Sequence, residues 1–107
     1  MSVLNELYDV VLERKTNKVE GSYTNYLYEK GLDKILKKVG EEATETIIAA
    51  KGSDKKEVVN EVADLTYHLL VMLADLDIPL TEVEAELDKR SAKIGNKKAE
   101  RKEIDNL

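Results

Sequence analysis

The stretch VVNEVADLTYHLL, residues 58–70, decides how the rest of the chain is read. Its apolar residues recur at helical spacing, which predicts a helix over about 54–75 with Val58, Val62, Leu65, Leu69, Leu73 and Leu76 in one stripe. Leu70, Val71 and Met72 add apolar surface round its other sides. A helix that is apolar all round has to be covered all round, and the few helices of a 107-residue chain are a thin cover. A second copy of the chain is the natural remedy. Along one edge run Glu57, Glu61, Asp64 and His68, each three or four residues from the next and therefore on one flank.

Upstream, KKVGEEATETIIAA at 37–50 belongs to a helix over about 32–51, with Leu32, Ile35, Leu36, Val39, Ala43, Ile47 and Ala50 as its apolar stripe. Helical rotation sets Glu42 and Glu45 together at the border of that stripe. Gly52 is the expected cap of this helix, and Asp54 with Glu57 opens the next. Residues 2–14 read as a first amphipathic helix, with Leu4, Leu7, Tyr8, Val11 and Leu12 at helical spacing. KTNKVEGSY at 15–23 breaks the pattern, and Ser22 or Thr24 can cap a short helical turn over Asn25 to Glu29 that ends near Gly31. After Pro79, Thr81 with Glu84 is the expected capping box of a last helix to about Lys93, followed by a charged tail over about 94–107. The expected fold is all-α: one domain over 1–107, with four to five antiparallel helices in a bundle completed by dimerisation.

Composition narrows the function. Charged residues make up 36% of the chain and the net charge is −5, which argues against nucleic acid as a partner because phosphate attraction dominates that affinity. The longest apolar run, Leu69 to Ala74, is far short of the ~20 residues of a membrane span. MSVLNELYDVVLERK at 1–15 alternates apolar and charged residues and does not read as a secretory signal. Without cysteine there is neither a disulfide framework nor a thiolate zinc site, which suits a cytoplasmic protein.

If the two central helices pack antiparallel through their apolar faces, Glu42 and Glu45 meet Glu61 and Asp64 across one groove. Carboxylates crowded into a partly desolvated groove repel unless a cation neutralises them. Hard oxygen donors, with no cysteine and a single histidine, favour Mg²⁺, with Mn²⁺ as an alternative. Mg²⁺ is commonly shared between protein carboxylates and substrate phosphates, and Lys34 and Lys38 lie just upstream for the remaining phosphate oxygens. A plainer reading stands beside this one. Acids three residues apart on a helix usually pair with lysine on a solvated face, and a lone His68 or the tyrosines 23, 26, 28 and 67 are by default packing residues.

The motifs carry a resemblance. E-x-x-E at Glu42 and Glu45 followed by E-x-x-D at Glu61 and Asp64 is similar to the signature of the all-α nucleoside triphosphate pyrophosphohydrolase superfamily, which also holds MazG and the dimeric dUTPases. ERK at 13–15, GSYTNYL at 21–27, KKVGEEATE at 37–45, NEVADLTYHLLVML at 60–73 and LTEVEAELDKR at 80–90 resemble, more narrowly, the phosphoribosyl-ATP pyrophosphatases. SYT and KVGEE distinguish that family from its relatives.

The resemblance implies a homodimeric enzyme of histidine biosynthesis that hydrolyses phosphoribosyl-ATP with Mg²⁺ between the α and β phosphates. It implies that Glu42, Glu45, Glu61 and Asp64 are metal ligands, with Glu41 an extra ligand or the base. It also implies phosphate contacts from Lys38, Arg14 and Lys15, and a substrate pocket shaped by Ser22, Tyr23 and Thr24. The alternative is a MazG-type house-cleaning nucleotide pyrophosphatase, which uses the same four carboxylates. A third reading, a catalytically silent helical adaptor, leaves the crowding of acids without a purpose.

Overall fold

The computed structural model describes residues 2–96, with side chains as far as residue 92. Five helices follow in order: α1 (Val3–Glu13), α2 (Tyr23–Lys30), α3 (Leu32–Lys51), α4 (Lys55–Asp75) and α5 (Leu80–Asn96), with no strand among the described residues. The expected tail over 94–107 lies outside the described residues apart from its first three, which continue α5.

The start signals act largely where the sequence puts them. Ser2 Oγ accepts from the Asn5 amide, Ser22 Oγ from Asn25 and an Asp54 carboxylate oxygen from Glu57, so α1, α2 and α4 each have a side-chain cap on an otherwise orphaned amide. Two expectations are corrected. Asn25 to Glu29 is the middle of an eight-residue helix rather than a lone turn. Thr81 is the second residue of α5 and caps nothing: the helix begins directly after Pro79, whose fixed φ suits a helix start, and Glu84 accepts instead from Asn5 Nδ2 at 3.1 Å. Gly52 does cap α3 but with ordinary helical dihedrals, and the left-handed residue that turns the chain is Ser53, at φ 63°.

α3 and α4 form an antiparallel hairpin across the short turn at 52–54 and carry the most extensive packing in the fold. α1 lies on α4, and α2 lies on α3. The buried core comprises Tyr8 and Val11 of α1, Leu27 of α2, Ile35 of α3, Leu70, Val71 and Ala74 of α4, and Leu80 of α5. On α4 this is not the predicted stripe. The face of Leu70, Val71 and Ala74 is turned inward, while Val62 and Leu76 are exposed. The stripe of α3 is split likewise: Ile35 is buried, yet Leu36 and Ile47 are exposed.

Polar side chains tie the layers together. Tyr8 OH donates to the Ile78 carbonyl and Tyr28 OH to the Val11 carbonyl, each at 2.7 Å. Burial pushes the Tyr28 phenol up to about 12, so it keeps its proton where a free tyrosine has lost it. A raised folded-state pKa means stability is fully present below about 10 and is lost as pH rises through about 12. Tyr28→Phe should therefore cost about 1 kcal/mol near neutrality, from the lost hydrogen bond. It should also remove part of the alkaline loss, so that urea melts at pH 8 and pH 11 differ less than in the wild type. An equal alkaline loss in both proteins would refute the assignment.

Candidate active site

Glu42 of α3 and His68 of α4 face each other across the hairpin, and towards its tip Glu45, one turn further along α3, meets Glu61, two turns further along α4. Glu42, Glu45 and Glu61 offer one carboxylate oxygen each within 4.8 Å of one another. Glu42 is buried, Glu61 half-buried and Glu45 exposed, so the group runs from the interior to the surface. Two oxygens, Glu42 Oε1 and Glu61 Oε1, are fully enclosed and have no hydrogen-bond partner. Enclosed carboxylate oxygens without partners are costly, and their clustering asks for a cation.

The cost falls on Glu61. Burial, followed by the nearby Glu45 and Glu57, pushes its pKa from 4.5 up to about 7. Glu57 comes from the same flank of α4, and Glu45, Ile48, Ala49, Glu57 and Glu61 line a cavity of about 190 Å³. Asp64 is exposed, one turn beyond Glu61, and is not among the three grouped acids; its backbone carbonyl accepts from His68 Nδ1 at 2.9 Å. Glu41 is exposed, with Lys37 at 3.8 Å and Lys38 at 3.6 Å, and lines a shallow cavity of about 530 Å³ that also reaches Glu45.

The lysines lead into the acids. Lys34, Lys38 and Glu42 are spaced four apart and form one row along α3. The Lys38 ammonium is pushed towards its charged form, first by the Tyr23 hydroxyl and then by Glu41 and Glu42. Burial pushes the Tyr23 phenol up, opposed by Lys38. The segment Ser22–Thr24 thus sits at the interior end of the acid group: Tyr23 OH is 3.1 Å from His68 Nε2, and Thr24 Oγ1 bonds Tyr67 OH. Tyr23 stacks on Tyr26 with centroids 5.8 Å apart, and both rings line a cavity of about 690 Å³ with Val19, Gly21, Ser22 and Asn25.

Arg14 and Lys15 are placed differently. Arg14 pairs with Glu13 at 2.9 Å, while the Lys15 ammonium donates to the Ala74 carbonyl at 2.8 Å and to Asp77 at 2.6 Å, closing the end of α4. Both line a smaller cavity of about 260 Å³ with Asn25 and Tyr28. Sequence reasoning missed Asn25, which is buried and clamps the loop before α2: its Oδ1 accepts from the Val19 amide at 2.9 Å and its Nδ2 donates to the Arg14 carbonyl at 2.7 Å. It also missed that His68 meets three helices. An asparagine in a loop-to-helix junction, and a single histidine four residues after an acid, are the only local signals of either.

Among the described residues no helix is long and apolar enough to cross a membrane. The chain is similar to known proteins over almost its whole length. The family model described as phosphoribosyl-ATP pyrophosphohydrolase matches residues 4–91. The phosphoribosyl-ATP pyrophosphatase of Listeria welshimeri is 60% identical over 98% of this chain and 100% of its own length. That of Clostridium acetobutylicum is 56% identical over 98% of this chain and 96% of its own. That of Clostridium novyi is 52% identical over all of this chain and 97% of its own.

Proposed function

The chain belongs to the phosphoribosyl-ATP pyrophosphohydrolase family, and from that premise we propose that it hydrolyses phosphoribosyl-ATP to phosphoribosyl-AMP and pyrophosphate, the second step of histidine biosynthesis. Water oxygen bonds to the α-phosphorus, the α–β anhydride bond breaks and pyrophosphate leaves. The observation that carries the reading is the group of Glu42, Glu45 and Glu61, two of whose oxygens are enclosed without a hydrogen bond, with only the His68 ring 3.0 Å from that of Glu42.

Those oxygens fit a hard divalent cation, Mg²⁺ with Mn²⁺ as a substitute, which Glu42, Glu45 and Glu61 would hold, with the exposed Asp64, one turn along α4 from Glu61, as the proposed fourth ligand. When bound, the cation supplies neutralisation of phosphate charge and a more acidic water. Lys34 and Lys38, in line with Glu42, hold phosphate oxygens as point charges, and Arg14 is a further phosphate contact. The bonds of Lys15 to the end of α4 favour a structural role for it. Glu41, which precedes Glu42 on α3, is the proposed base for the proton of the attacking water. Ser22, Tyr23 and Thr24 form the wall that faces the nucleotide.

The exposed Ile47, Ile48, Val59 and Val62 at the tip of the hairpin support a homodimer that covers them, and a sedimentation mass of one chain would refute it. The expected location is the cytoplasm, with one domain spanning the chain.

Pure protein given phosphoribosyl-ATP and Mg²⁺ should release pyrophosphate, and no release by metal-loaded protein would overturn the proposal. A panel of dNTPs separates the MazG-type alternative, which requires them to be cleaved faster. Asp64→Asn and Glu42→Gln should each lower turnover at least about 100-fold with unchanged far-UV circular dichroism, because charge neutralisation by a metal contributes several kcal/mol at the transition state. Near-wild-type turnover in either would remove that residue from the ligand set.

A further inference from the structure

His68 is the chain's single histidine, almost fully buried, and none of the proposed steps uses it. Both ring nitrogens nevertheless have fixed surroundings. Nδ1 lies 2.9 Å from the Asp64 carbonyl and 3.0 Å from Glu42 Oε1, while Nε2 lies 3.1 Å from Tyr23 OH. The rings of Tyr23 and Tyr67 meet the imidazole edge-on, at 88° and 74°.

The chemistry of these partners sets the tautomer. A backbone carbonyl only accepts, so Nδ1 carries the hydrogen, and the lone pair of Nε2 is left to accept from the Tyr23 hydroxyl. The Nδ1–H donates to the Asp64 carbonyl, and Nδ1 also lies 3.0 Å from the enclosed Glu42 Oε1, which has no hydrogen-bond partner. One ring therefore spans from the wall at the start of α2 to a carboxylate of the acid group on α3, and is anchored on α4 next to Asp64. A metal-ligating carboxylate is commonly oriented by such an outer partner, and loss of that partner weakens metal affinity about 10–100-fold.

We infer that His68 is a positioning residue: its ring, with Nδ1 seated 3.0 Å from Glu42 Oε1 and Nε2 accepting from the Tyr23 hydroxyl, holds the acid group and the nucleotide-facing wall in register. This rests on the metal reading proposed above. It assigns no proton transfer to the ring. Its effect is to keep two parts of the site, carried by different helices, at one separation.

The test measures Mn²⁺ binding without substrate, by calorimetry and electron paramagnetic resonance, alongside KM and kcat. His68→Phe, which keeps a ring but no polar atom, should weaken Mn²⁺ binding about 10–100-fold and raise KM. His68→Asn places an amide N–H near the position of Nδ1, so it should restore Mn²⁺ affinity to within about threefold of wild type while KM stays raised. Tyr23→Phe should leave Mn²⁺ binding unchanged, raise KM about threefold to tenfold, and add nothing further in the His68→Asn background.

Wild-type Mn²⁺ affinity in folded His68→Phe would overturn the inference, as would equal losses in the Phe and Asn variants, which would mean ring shape alone matters. If neither histidine variant folds, Tyr23→Phe decides, and an unchanged KM overturns the inference. Failure of the wild-type protein to bind Mn²⁺ at all would sink the metal reading and this inference with it. Wild-type binding with an indifferent histidine sinks only the latter.

Discussion

Glu61→Gln is expected to lower turnover at least about 100-fold and, at pH 8 without metal, to raise the melting temperature. Both effects come from the same carboxylate. Its oxygen is enclosed without a partner, and burial together with Glu45 and Glu57 pushes its pKa to about 7, well above 4.5. A carboxylate whose folded-state pKa is raised stabilises the fold in its protonated form. That contribution is complete below about 4.5 and is lost as pH rises through about 7.

Metal-free wild-type protein should therefore melt lower at pH 8 than at pH 5 by more than the Gln variant does. Added Mg²⁺ should raise the wild-type melting temperature at pH 8 and release protons as it displaces them from the site. The Gln variant should gain little from the metal. A variant that melts below the wild type in EDTA at pH 8, or turns over at wild-type rate, would contradict this account. The expected pattern is a site that opposes folding until its cation arrives.

Leu27→Ala is expected to destabilise the protein by about 2–5 kcal/mol, a large share of the roughly 5–15 kcal/mol that holds most native domains. Leu27 is fully buried in the core and is the main apolar anchor of α2, whose helix is only two turns long. The hairpin of α3 and α4 carries Glu42, Glu45 and Glu61 without help from α2, whereas Ser22, Tyr23 and Thr24 depend on α2 being seated. Under conditions where the variant is still folded, Mn²⁺ binding should therefore survive better than substrate affinity. A urea midpoint within experimental error of wild type would show that α2 is anchored elsewhere. Equal loss of metal and substrate binding would show that the hairpin needs α2 after all.

The central hairpin was legible from the sequence because its signals are local. The Asp54 cap and the serine before α2 act within one turn of chain and appear where the sequence puts them, while of the four spaced acids Glu42, Glu45 and Glu61 come together and Asp64 stays outside the group. The buried face of α4 was not legible. With leucine and valine on every side, periodicity gives no preferred direction, and the choice of Leu70, Val71 and Ala74 is made by α1 and by the residues around Leu80. Long-range bonds were equally hidden. Lys15 reads as one more basic residue until the end of α4 comes to it, and His68 reads as a packing residue until α2 and α3 arrive on either side.

α2 and α3 meet at Gly31, which accepts the duty of last cap for one and first cap for the other: its amide donates to the Leu27 carbonyl, and its own carbonyl receives Lys34 and Ile35. The φ of 95° there is one that a side chain resists. Two helices that share a single residue have no slack between them. An extra residue at this joint would have to turn α2 through part of a helical revolution relative to α3, carrying Tyr23 away from the imidazole. Variation in chain length among related sequences should accordingly collect in the loop before Ser22 and in the turn at 52–54, and leave this joint at a fixed count.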